Sequence, residues 1–213
     1  MIPESSAVLR LVAARCLRYP DESLHDQLPL LREALRQSPG AAAERLQAFV
    51  DIAAATDPLD LCAHYTATFD TRNRRCLYLT WWTDGDTRRR GLSLVRMKRI
   101  YRDHGLEFGH EELPDFLPAA LEFAGRHEES GTRLLQEHRA GLELLRLALT
   151  ETGTPYADVL EAVCATLPGA SPTTKAEAKA LAKAGPPQET VGLEPFGPGV
   201  ELPWPGFPER KAS

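Results

Sequence analysis

Cys76-Leu-Tyr-Leu-Thr-Trp-Trp82 is a run whose local pattern fits a short strand or a helix, and its reading decides the fold class. No second segment of the chain offers a convincing strand to pair with it, and an unpaired strand is not stable in water. The run therefore reads as helix, and the chain as all-α. Upstream stand Phe69-Asp70 and Thr71-Arg-Asn-Arg-Arg75; downstream come the turn Thr83-Asp-Gly-Asp86, then Thr87-Arg-Arg-Arg90-Gly91 and the apolar-periodic stretch from Leu92 to Tyr101. Two adjacent tryptophans are thus framed by two arginine triplets. A core needs the aromatics but not the fixed charge, whereas a concave surface gripping an amphipathic ligand uses both.

Charge is distributed in the same way. Residues 71–102 hold ten basic side chains against Asp84 and Asp86, so this window carries +8 while the whole chain carries −5. A basic patch on an acidic body suits the steering of a selected partner. General nucleic-acid binding wants a basic balance over the whole domain, so no nucleic-acid partner is expected.

At 213 residues the chain has room for one sizeable domain plus a tail. No apolar run is long enough to span a bilayer, so direct membrane insertion is not expected. Met1-Ile-Pro-Glu4 lacks the basic start and apolar core of a secretory signal, which points to the cytoplasm. Cys16, Cys62, Cys76 and Cys164 are far apart and read as free thiols packed as small apolar groups rather than as metal ligands.

Outward from the central run, helices follow from periodicity and stop signals. Val8, Leu9, Val12 and Cys16 share a face of a first helix that ends at Tyr19-Pro20. Leu24, Leu28, Leu31 and Leu35 mark a second, with Pro29 suggesting a break or a start inside it. Leu46, Phe49, Val50 and Ala53 mark a third, and Asp57-Pro58 starts a fourth carrying Leu59, Cys62, Tyr65 and Phe69. Asp86 is expected to cap the helix that ends at His104-Gly105. Pro114-Asp115 opens a helix through Phe123. One long helix is expected from about Ser130 to Glu151, with His138 a hydrogen-bonded core histidine. Gly153-Thr-Pro155 restarts the chain into a last apolar helix.

The expected architecture is a single-domain helical bundle over residues 1–168. Residues 169–213 follow as a polar helix and a Pro/Gly-rich C-terminal tail, docked or disordered. That tail contains the apolar anchors Val191-Gly-Leu-Glu-Pro-Phe196 and Leu202-Pro-Trp-Pro-Gly-Phe207.

No phosphate-binding loop, dinucleotide fingerprint, His-Glu-x-x-His or nucleophile elbow occurs. No two histidines sit three or four apart, so no catalytic or metal residues are assigned. Asp115 and Glu122, seven apart, are expected to share a helix face. There they serve as acceptors for arginine or for a ligand's basic group, or as a helix cap and an ion pair.

Tyr65-x-x-x-Phe69-Asp70, Arg74-Arg-Cys-Leu-Tyr-Leu-Thr80, Gly85-Asp-Thr-Arg88 with Arg90-Gly91, and Glu112-Leu-Pro-Asp115 through Leu121-Glu-Phe123 together resemble the NarJ family, within the TorD-like group of molybdoenzyme chaperones. Val191 to Phe196 is similar to that family's proline-rich ending. Phe116 stands where some members continue Leu-Pro-Asp with histidine. The resemblance implies an all-helical chaperone, not an enzyme. It implies that the chaperone binds the N-terminal peptide of the nitrate reductase catalytic (alpha) subunit and holds the apoenzyme open for molybdenum cofactor and iron–sulfur insertion. It implies no permanently bound cofactor, and it leaves room for a transient contact with the client's molybdopterin guanine dinucleotide. Chaperoning of another molybdoenzyme of the group, or binding of a small anion or nucleotide at Gly85–Arg90, are the alternatives. A helix laid in a groove needs apolar anchors and a charged rim. Tyr65, Phe69, Tyr78, Trp81 and Trp82 are the expected floor, with Arg88, Arg90 and Arg96 on one side and Glu112, Asp115 and Glu122 on the other.

Overall fold

The structure, a computed structural model, describes residues 6–71, 75–109 and 112–184, with side chains as far as Leu181. The proline-rich tail and Arg72 and Arg74 of the first arginine triplet lie outside the described residues. Eleven helices build the described chain: α1 Ser6–Cys16, α2 Glu22–Arg36, α3 Ala41–Ala55, α4 Pro58–Phe69, α5 Leu79–Asp84, α6 Arg88–Asp103, α7 Leu117–Arg126, α8 Glu128–Glu137, α9 Arg139–Thr152, α10 Tyr156–Ala165 and α11 Lys175–Ala184. Among the described residues there is no strand; Tyr78 and Phe116 form an isolated antiparallel bridge.

Several boundaries differ from the sequence reading. Pro29 neither breaks nor starts α2 but sits within it, on an exposed side. An interior proline costs about 3 kcal/mol. Burial of Leu24, Leu28, Leu31 and Leu35 on the other face, at about 1.5–3 kcal/mol each, outweighs it. Thr87, not Asp86, caps α6, its hydroxyl accepting from the Arg89 N–H. The long helix expected from Ser130 to Glu151 is two, α8 and α9, separated at His138 with φ −102° and ψ 11°. The apolar stripe is continuous through the break, so periodicity alone did not reveal it. Asp57 and Pro58 start α4 as read, the carboxylate accepting from the Leu59 N–H at 2.9 Å.

The apolar stripes meet in one core. α1 crosses α7 and also touches α2, α3 and α10, while α10 lies between α3 and α9. Tyr156 of α10 is ringed by Phe49, Tyr65 and Phe69 at centroid distances of 4.9, 5.9 and 4.8 Å. Such aromatic pairs add to plain area burial. Arg10, buried in α1, donates to Thr132 Oγ1 at 2.8 Å and to the carbonyl oxygens of Thr166 and Ala124, tying α1 to three neighbouring segments.

A second buried charge cluster fixes the far end of the chain. Glu143 is fully buried and accepts from Arg139 at 2.9 Å and Arg146 at 2.7 Å. The same arginines reach the carbonyl oxygens of Pro168, Gly169 and Pro172, and Ser171 Oγ donates to Glu143. Each member is thereby satisfied, which a buried ion pair requires. The segment 168–172 is strapped onto α9, and α11 then packs against α9 with Ala178 buried.

Candidate functional site

The central run becomes α5, a helix of only six residues, too short to be stable alone. Its neighbours hold it. The Leu79 N–H donates to the Asp115 carbonyl at 2.8 Å and the Leu117 N–H to the Leu77 carbonyl at 2.7 Å, stitching the entry of α5 to the entry of α7. The carboxylate of Asp115, 0% exposed, accepts from both the backbone N–H (3.2 Å) and the hydroxyl of Thr80. From α6, Arg90 Nε donates to Thr80 Oγ1 at 3.2 Å and Nη2 stands 3.5 Å from Asp115 Oδ2. Its guanidinium lies 5.7 Å from the Tyr78 ring centre and 6.0 Å from that of Trp81, within cation–π range. The result is one positioned cation between two aromatic faces, backed by a buried carboxylate. Asp115 Oδ1 is left without a hydrogen-bond partner. Burial, with Glu112 and Asp115 nearby, pushes the Tyr78 hydroxyl above the usual tyrosine range against the opposing pull of Arg90, so Tyr78 is a neutral hydroxyl near pH 7.

Adjacent helical residues point about 100° apart, so the two tryptophans cannot share a face. Trp81 faces a cleft of about 290 Å³ with Phe69, Asp70, Cys76, Tyr78 and Arg90. Trp82 turns toward α9, where it borders an apolar cleft of about 610 Å³ with Ala140, Gly141, Leu144, Pro168 and Leu181. Its indole N–H donates to the Cys76 carbonyl at 3.1 Å. A third cleft, about 380 Å³, opens off Thr83 and Asp84 at the end of α5, with Met97, Ile100 and Leu134 as apolar wall. Arg96, Glu137 and His138 also line it. His138 Nδ1 has no partner, which corrects the expectation of a hydrogen-bonded core histidine. Burial pulls its pKa down to about 4. Three clefts thus ring one short helix.

The residues expected from sequence to form a single floor and rim are distributed more widely. Tyr78, Trp81, Arg90 and Asp115 come together. Tyr65 is not floor but core, its hydroxyl donating to the Leu17 carbonyl at 3.2 Å. Phe69 is also buried, with an edge on the Trp81 cleft. Trp82 serves the opposite cleft from Trp81. Arg88 is exposed, and Arg96 pairs with Glu137 at 2.7 Å beside the third cleft. Glu112, half-buried, accepts from the Leu113 N–H. Asp115 precedes α7 rather than lying on it, so it shares no helix face with Glu122, and its carboxylate accepts from a first-turn N–H of α5 instead of capping α7. Glu122 pairs with Arg18 at 2.9 Å, away from the node.

Sequence reasoning missed Thr80 and Gly141. A Cβ at Gly141 would stand 2.6 Å from Trp82 Cβ, so glycine is what lets α5 approach α9. An isolated glycine inside a leucine-rich helix was the available signal. Among the described residues no group of three His, Cys, Asp or Glu side chains is placed to hold a metal ion. No helix among them is long and apolar enough to cross a membrane.

Residues 29–162 match the family model described as nitrate reductase delta subunit. The nitrate reductase-like protein NarX of Mycobacterium tuberculosis is 40% identical over 169 residues, which is 78% of this chain but only 26% of that protein. The chain thus spans about a quarter of that relative's length. The probable nitrate reductase molybdenum cofactor assembly chaperone NarJ of Bacillus subtilis is 33% identical over 154 residues, 71% of this chain and 83% of that one. The fold is shared with an Archaeoglobus fulgidus crystal structure described as a redox enzyme maturation protein. The TM-score is 0.56 at 22% identity, covering 75% of this chain and 91% of that one.

Proposed function

The chain belongs to the nitrate reductase delta subunit family, and on that premise we propose that it is an assembly chaperone for a molybdoenzyme. The client is the nitrate reductase catalytic subunit, bound through its N-terminal peptide in the cytoplasm. While bound, the apoenzyme stays open to insertion of its molybdenum cofactor and iron–sulfur cluster; both groups are the client's, and contact between the chaperone and the cofactor's guanine dinucleotide is at most transient. The observation that carries this reading is the node around α5. A guanidinium is placed between Tyr78 and Trp81, with a mixed aromatic and polar cleft on one side and a more apolar one on the other. A helical peptide presenting one apolar face and a carboxylate or carbonyl matches that surface, with the large side chains entering the clefts and the polar group meeting Arg90. Asp115 contributes by fixing Arg90 rather than by touching the peptide.

Isothermal titration with a synthetic N-terminal peptide of the catalytic subunit tests the proposal. Saturable heat, weakened at least tenfold by Arg90→Ala and by Trp81→Ala, is expected. Absence of heat at saturating peptide, together with an unchanged melting temperature, would remove it. The alternative anion site at Gly85–Arg90 is less well supported. The Thr87 hydroxyl at that helix start already accepts from the Arg89 N–H in the first turn of α6.

A further inference from the structure

α6 has a second face that the client-binding proposal does not use. Arg90, Met97 and Tyr101 project inward from it, and only the last two are buried. With about 100° between successive residues, Arg88, Leu92, Val95, Arg99 and Arg102 fall on the opposite side, with Asp103 the one acid among them. Leu92 is 74% exposed and Val95 67%. Arg89 and Lys98 flank them and are exposed as well. Arg90 pairs with Asp115 and Arg96 with Glu137, but the other five cations of α6 make no ion pair among the described residues. The helix packs chiefly on the short α5, so its outer side is a convex ridge rather than a groove.

We propose that this outer face of α6 docks the protein reversibly on the surface of a membrane containing anionic phospholipid. Three features select that partner. Five unpaired cations on a chain of net charge −5 need a concentrated anionic surface rather than scattered carboxylates. Two aliphatic side chains one turn apart, in the middle of the basic face, have no use against a phosphate backbone but enter the headgroup–acyl boundary. A convex ridge fits a plane, whereas a peptide would need a trough. The arrangement is that of an interfacial helix lying flat, with no spanning segment involved.

Each basic side chain near such a surface raises partition about fivefold, so five contribute on the order of a thousandfold at low ionic strength. Leu92 adds about tenfold if its side chain is withdrawn from water. The test is co-sedimentation of the full chain with vesicles of phosphatidylglycerol and phosphatidylcholine, against phosphatidylcholine alone. Binding to the anionic vesicles only, reversed by high salt, is expected. Arg99→Glu should weaken it by well over fivefold and Leu92→Ser by about tenfold, while Arg32→Glu on α2 leaves it unchanged. These are surface positions, and circular dichroism checks that each variant folds. No partition of the parent chain to anionic vesicles at low salt overturns the proposal. So does binding that is insensitive to Leu92→Ser and matched on duplex DNA, which would mark a bare polyanion contact. The result stands apart from peptide binding, because Leu92 and Arg99 face away from Arg90.

Discussion

Gly141→Ala offers a test of the contact that seats α5. In an ordinary helix interior this change stabilises by about 1 kcal/mol, because alanine loses less backbone freedom than glycine. Here the new methyl would lie 2.6 Å from Trp82 Cβ and 3.1 Å from its Cγ, well inside van der Waals contact. The Cβ of Trp82 moves only with its backbone, so α5 itself has to shift. Overpacking of this kind costs about 1–3 kcal/mol. The net effect in the parent chain is therefore neutral to about 2 kcal/mol destabilising. The background decides the interpretation. Trp82→Ala removes the Cγ contact and keeps the Cβ one, so it relieves the cost partly. Trp82→Gly removes both, and Gly141→Ala there should stabilise by about 1 kcal/mol. Urea unfolding followed by far-UV circular dichroism, in all three backgrounds, gives the coupling directly. An effect of Gly141→Ala that is the same in each background would refute the reasoning, since the two residues would then not be in contact.

Other consequences are as specific. Asp115→Ala leaves the Thr80 N–H and hydroxyl and a half-buried Arg90 without their acceptor and should cost about 3–5 kcal/mol, whereas Asp115→Asn, which keeps an acceptor oxygen, should cost about 1–3; thermal melts rank the two. Glu143→Ala strands Arg139 and Arg146 and should cost a similar 3–5 kcal/mol, and it should also open the segment 168–172 to limited proteolysis before the rest of the chain. His138, surrounded by Asp84, Asp115 and Arg96, has its pKa lowered from 6.5 to about 4 by burial. The unfolded chain therefore takes up a proton that the folded chain refuses, and stability falls as pH drops from about 6.5 toward 4, by about 3 kcal/mol in total. Subtracting the profile of His138→Gln from that of the parent isolates this loss, and a flat difference would show that His138 is not buried as described.

The all-helical fold was legible because one local ambiguity could be settled by a global argument. Cys76–Trp82 lacked a strand partner, and in the structure its only extended pairing is the bridge at Tyr78, with α5 beginning one residue later. The capping residues that were read correctly, such as Asp57, act on their own helix. Asp86 loses the cap of α6 to its neighbour Thr87, and Asp115 takes the other role expected of it, partner to an arginine of another helix, in a segment held by residues far off in the chain. The candidate site was legible only in part for the same reason. Aromatic residues next to arginines marked the right stretch, but periodicity gives no way to tell Tyr65, which closes the core, from Tyr78, which borders a cleft. Nor can spacing along the chain show that Thr80 and Asp115, far apart in sequence, share a hydrogen bond. The split at His138 left no trace in the apolar pattern, because α8 and α9 bury a continuous stripe.

The direction of the pKa shifts bears on what kind of protein this is. A side chain that moves protons or attacks a substrate at neutral pH works best with a pKa near 7 and access to its target. In this chain burial moves the candidates the other way. The Cys16 thiol is pushed up to about 12, Cys164 is raised further by the same cause, and Cys76 beside Arg90 is also raised. His138 goes down to about 4. The buried carboxylates of Asp115 and Glu143 are each engaged by arginine, and both hold segments together: α5 to α7, and residues 168–172 to α9. Ionisable groups taken out of water here are thus spent on position. The charges left in water, on α6 above all, remain free to meet something larger. That division suits a protein whose work is to hold a partner in place, and it makes Arg90, fixed by Asp115 yet open to the Trp81 cleft, the residue whose removal should affect holding most, with a stability cost of its own from the buried Asp115 carboxylate left unpaired.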